Sequence, residues 1–127
     1  MNKDDLKDRT KKFSIAILHL IELIPRIKSG NTISNQIIRS GTSIGANYRA
    51  ACRAKSDKDF LNKIIIVEEE ADETLFWLEL LIDSKMMKKD QLEPLIKECN
   101  ELVAIFTASG RTVRNRLEAM KKEKLNC

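Results

Sequence analysis

Three arginines, Arg39, Arg49 and Arg53, are the residues of this chain whose type and spacing best suit chemistry. At 100° per residue of helix they fall within an arc of about 80°, nearly opposite Ile33, Ile44 and Ala51. Guanidinium groups held in such a stripe suit phosphate oxygens, and Lys55 extends the run. No acid occurs between Leu23 and Ser56, whereas Asp57–Ser84 holds nine acids against two lysines. From Arg111 to Cys127 the balance is basic again, and Arg111 and Arg114 are its first members. Three uses are open to the stripe: a solvated face, pairing with the acidic helix of a neighbouring subunit, or contact with nucleic-acid phosphates. No aromatic residue interleaves the arginines, so nucleic acid would be held by its backbone, with little sequence preference and strong salt dependence.

A second pattern is carboxylate-based. Glu70 and Glu73, then Glu98 and Glu101, form two Glu-x-x-Glu pairs on successive helices. All-helical nucleotide pyrophosphohydrolases hold magnesium with pairs of this kind. Both pairs here fall on the outer flanks of their helices, and the second ends in Glu where Asp is usual. This leaves a magnesium-dependent nucleotide hydrolase as the third reading. His19 stands alone, and Cys52, Cys99 and Cys127 fit no zinc or thioredoxin-type spacing. No catalytic residue, metal or cofactor is expected.

These side chains need helices to carry them. Phe13, Ile17, Leu20, Ile24 and Ile27 recur at steps of four and three, the period of a helix packed in a bundle. Ile33, Ile37, Ile44, Tyr48 and Ala51 follow, then Phe60, Ile64, Val67, Ala71, Leu75 or Thr74, Leu78 and Leu81 or Ile82, then Leu92, Leu95, Cys99, Leu102, Phe106, Val113 and Leu117. The pattern predicts helices at about 5–29, 32–54, 57–84 and 90–122 in one domain over residues 1–127. Pro25 is expected to kink the end of the first helix and Ser29-Gly30-Asn31 to stop it. Ser56 with Asp59, and Asp90 with Glu93, read as capping boxes. With no strand-like alternation, the fold is all-α, an up-down-up-down antiparallel four-helix bundle.

Composition agrees. The 127 residues are 43% hydrophobic and 33% charged, with a net charge of +4, a mixture typical of a helix-rich globule. The apolar run Ile15–Ile24 is interrupted by His19 and Glu22 and is too short to span a bilayer. The protein is expected to be cytoplasmic, with reduced thiols and no membrane contact. Helix one carries Ile15 and Leu18 off its core stripe, and helix three carries Phe76, Trp77 and Leu80 among glutamates. That surplus predicts a homo-oligomer built on those five residues.

The stretch Arg39-Ser-Gly-Thr-Ser-Ile-Gly-Ala-Asn-Tyr-Arg49, with Ser56-x-Lys58-Asp59-Phe60 after it, resembles the central signature of a bacterial family. Its members are small four-helix bundles encoded inside intervening sequences of large-subunit ribosomal RNA genes. Glu73-Thr74 followed by Trp77-Leu-Glu-Leu-Leu81 is similar to the family's third-helix signature. The resemblance implies a homopentamer without assigned catalysis. A related branch, the accessory subunit of diversity-generating retroelements, works with a reverse transcriptase and its template RNA, which implies RNA or a partner protein as further partners. Ala50 stands where the family commonly has a glutamate, and Lys55 replaces another usual acid, so the second helix is more basic than in typical relatives. The expectation is a non-enzymatic oligomeric scaffold associated with RNA or DNA; the alternative is a protein-interaction module that serves self-assembly alone.

Overall fold

Where apolar side chains recur every three or four residues, the chain is helical and buries that stripe. The computed structural model describes residues 1–126; Cys127 lies outside the described residues. The elements are α1 (Lys3–Ile21), α2 (Lys28–Ala51), α3 (Asp57–Asp83) and α4 (Lys89–Leu125). Each packs on the next, α1 on α2, α2 on α3 and α3 on α4, while α1 and α4 barely meet. The diagonal pairs, α1 with α3 and α2 with α4, make no close backbone approach. The result is the expected all-α up-down-up-down bundle, with no strand among the described residues.

The core is largely the set the periodicity marks, except that Ile27 is exposed, Phe60 is half-buried, and Leu6 and Met87 join it. Ile17, Ile37, Ile44, Ile64, Leu78, Leu92, Leu102 and Phe106 are fully enclosed, and Tyr48 of α2 meets Phe106 of α4 across the centre at 5.3 Å. Two polar side chains join them at the α2/α3 seam, where Thr74 Oγ1 donates to Ser40 Oγ at 2.9 Å. No buried side-chain nitrogen or oxygen among the described residues lacks a partner, so these hydroxyls impose no desolvation penalty.

The helix ends correct the sequence reading in three places. α1 stops at Ile21 instead of continuing to residue 29, and Ser29-Gly30-Asn31 opens α2 rather than ending α1. Pro25 lacks an N–H and pushes the preceding residue out of the helical region. It therefore lies in a connecting segment, from which Ile24 still reaches the core while Ile27 is exposed. The first turn of α2 packs on that segment: a Cβ on Gly30 would stand 2.0 Å from the Pro25 carbonyl oxygen. At α3, Ser56 Oγ caps the Asp59 N–H at 3.1 Å, but the Asp59 carboxylate accepts from Lys55 N–H instead of closing the box on Ser56. At α4 the cap position is Lys88, whose N–H donates to Gln91 Oε1 at 2.9 Å, so Asp90 and Glu93 form no box. Pro94 lies in the second turn of α4, six residues past the Lys88 cap, on an exposed face.

Candidate nucleic-acid interface

α2 is rich in weak helix formers, and its packing explains why it is a helix all the same. Gly41 and Gly45 face α1: a Cβ on Gly41 would lie 2.8 Å from Ile17 Cγ1, and one on Gly45 would lie 3.3 Å from the Thr10 carbonyl oxygen. The absent side chains let the two helices approach closely. Ser43 Oγ donates to the Arg39 carbonyl at 2.6 Å and Asn47 Nδ2 to the Ser43 carbonyl at 2.9 Å, so polar side chains that compete with helix are satisfied within it. With the isoleucines turned inward, Arg39, Arg49 and Arg53 all reach the surface.

The three arginines do not share one role. Arg39 Nη1 donates to Glu70 at 3.2 Å and Nη2 to Glu73, both on α3 of the same chain. Glu73 also accepts from Trp77 Nε1 at 3.2 Å. The pairing with α3 acids therefore occurs within the bundle, and Arg39 does not point away from it. The other Glu-x-x-Glu pair has a matching clasp: Arg9 of α1 donates to both oxygens of Glu98, at 2.7 and 2.6 Å, and lies 3.4 Å from Glu101. The Glu98 hydrogen bond, with the two carboxylate charges, holds the Arg9 pKa above its ordinary value. Each carboxylate pair is thus bridged by an arginine from the adjoining helix. No group of three or more metal-ligating side chains comes together among the described residues.

Arg49 and Arg53 are exposed and, among the described residues, have no acidic partner within ion-pair distance. They line a groove of about 570 Å³ between α1 and α2, opposite Lys7 and Lys11. Asp4 and Asp8 share the α1 side. The α1 lysines escaped the sequence reading, although Lys3, Lys7 and Lys11 repeat every four residues along one exposed face. Lys55 sits in a separate hollow of about 450 Å³ with Lys3, Cys52, Phe60 and Arg116 at the start of α3. Arg116 there pairs with Asp57 at 3.0 Å. Arg111 is exposed on α4, and Arg114 borders an α3/α4 hollow facing Glu68, Glu69 and Asp72. Arg49, Arg53, Lys55, Arg111 and Arg114 therefore share one end of the bundle but spread over more than one face.

The five residues expected at an oligomer interface divide likewise. Ile15, Leu18 and Phe76 are 45%, 44% and 56% exposed, whereas Trp77 and Leu80 are half-buried against the core. Phe76 stacks edge-on to Trp77 at 5.0 Å. Leu23 and Ile66 add exposed apolar surface, as does Ile27, which the periodicity placed on the core stripe. His19 is exposed, Cys99 is buried and Cys52 half-buried, both cysteines as free thiols. No described helix is long and apolar enough to cross a membrane.

Residues 3–108 match the family described as 23S rRNA-intervening sequence protein. Among solved structures, a protein of unknown function from the S23 ribosomal protein family of Bacteroides thetaiotaomicron superposes with a TM-score of 0.76 and 38% sequence identity. The match covers 82% of this chain and 96% of that one. No curated protein matches.

Proposed function

The chain belongs to the 23S rRNA-intervening sequence protein family, and on that premise we propose that it is a non-enzymatic, self-associating scaffold that binds the phosphate backbone of RNA or DNA. The observation that carries the reading is the pair Arg49 and Arg53, exposed and without acidic partners among the described residues, while Arg39 is engaged by Glu70 and Glu73. Unpaired arginines retain their full charge for phosphate oxygens, each contact releasing condensed counterions. Lys55 and Arg111 lie at the same end of the bundle and extend the positive field, whereas Arg114 faces Glu68, Glu69 and Asp72.

Self-association has its own support. Ile15 and Leu18 on α1, and Phe76 on α3, are exposed on diagonal helices, so their patches face apart. Two different patches facing apart suit a head-to-tail contact, which closes into a ring when the rotation permits; a pentamer is one such closure. If the charge asymmetry served assembly alone, Arg49 and Arg53 would have acids of a neighbouring copy as partners.

Titrating fluorescein-labelled RNA and DNA with the purified protein over a salt series, with light scattering on the same samples, tests the reading. We expect binding at low salt that falls steeply as salt rises, similar affinity across sequences, and a mass above that of the monomer. The double variant Arg49→Ala/Arg53→Ala should lose binding and keep its mass, and Arg39→Ala should bind like the parent. No binding of either polymer at low salt would refute the scaffold, and loss of mass in the double variant would favour the assembly module.

A further inference from the structure

The structure sorts the cations of the basic end into engaged and free. Arg9, Arg39 and Arg116 are held by carboxylates of neighbouring helices, and Lys12 by Asp8 at 2.9 Å. Lys11, Arg49 and Arg53 have no ion-pair partner among the described residues, and Lys7 has only a 3.9 Å contact with the exposed Asp4. These four cations line one groove, the furrow between α1 and α2.

We propose that this α1/α2 groove seats the phosphodiester backbone of a single-stranded polynucleotide. The proposal rests on the scaffold reading and adds to it a place, a strand state and two residues, Lys7 and Lys11. Lys7 and Lys11 are one turn apart on α1, about 6 Å along its axis, and the facing wall carries Arg49 in the last turn of α2 and Arg53 in the turn just past its end. The floor is Ser14, Gly45 and Ala46, small residues that let a backbone come close. The groove holds about 570 Å³, room for the backbone of one strand, whereas a duplex would rest on its rim. No aromatic side chain lines the groove, so bases have no stacking platform and sequence matters little. Asp4 and Asp8 offset part of the charge of the α1 wall, which keeps the affinity modest.

Fluorescence polarisation with labelled oligo-U, oligo-dT and a duplex of equal length, each over a salt series, decides the matter. Four phosphate contacts on a single strand predict a slope of log K against log salt of about −2.8, falling to about −1.4 in Lys7→Ala/Lys11→Ala. Both lysines are exposed, and an unchanged thermal unfolding curve will confirm that the variant is folded. Ala46→Leu, which raises the floor without touching charge, should also weaken binding. Groove-dependent binding of oligo-U, oligo-dT or both upholds the proposal, and the two probes tell ribose from deoxyribose strands. Strand binding that is unaltered in both variants, or duplex binding as tight as single-strand binding, overturns the groove while leaving the scaffold standing. Failure of the parent protein to bind any of the three probes refutes the scaffold itself.

Discussion

Gly41 of α2 packs directly on α1, with a Cβ position 2.8 Å from the fully buried Ile17. A large side chain cannot fit there without moving the helix pair, so Gly41→Leu should cost about 1–3 kcal/mol, read as a lower urea midpoint. Gly110 on α4 is the opposite case, since an added Cβ would find Ile64 at 3.6 Å, an ordinary contact. Gly110→Ala should therefore stabilise by about 0.4–1 kcal/mol through the unfolded chain, and the same urea titration measures it. Cys99 links a single residue to pH. Burial, helped by the charges of Asp72, Glu98 and Glu79, pushes its thiol up from 9.0 to about 12. Below pH about 9 both states keep the proton and the contribution is complete; between about 9 and 12 only the unfolded chain ionises, so stability falls as pH rises. The advantage of the parent over Cys99→Ala should accordingly narrow across that window in denaturant titrations.

At the scale of the element, the ends of the helices are more informative than their middles. Ser56 satisfies an otherwise orphan N–H of α3, so Ser56→Ala should lower stability by about 0.5–2 kcal/mol, visible in thermal unfolding. The stripes that bury Ile17, Ile44, Ile64 and Leu102 were legible because helical periodicity is a local property of the sequence. The stop of α1 at Ile21 was less so, since Ile24 is held in the core by tertiary contact after the helix has ended. Arg39 shows a further limit. Its arc on α2 could be computed from spacing, but the reach of Glu70 and Glu73 depends on how α3 is registered against α2, which no local pattern records. Lys7 and Lys11 were hidden for the same reason, because their partners across the groove come from another helix.

For the whole molecule, the proposed self-association rests on the two exposed apolar patches. Ile15 and Leu18 lie on α1 and Phe76 on the diagonal α3, so in the proposed head-to-tail assembly one patch meets the other on the next copy. Phe76→Ser, at an exposed position that leaves the core intact, should reduce the mass measured by light scattering without lowering the stability of the monomer. Ile15→Ser on the other patch should do the same, as a contact made of two unlike surfaces requires.

The sparse meeting of α1 with α4 has a consequence in time. α1 rests on α2 along its length, but across the remaining seam its named polar tie is the Arg9 clasp on Glu98 and Glu101. Proteins open in cooperative pieces, and the piece with least packed surface opens first. α1, joined through the short segment around Pro25, is that piece here, and its departure would leave α2, α3 and α4 still packed in sequence. Amide hydrogen exchange should then show α1 exchanging as one block well ahead of α3, with Arg9→Ala accelerating that block alone.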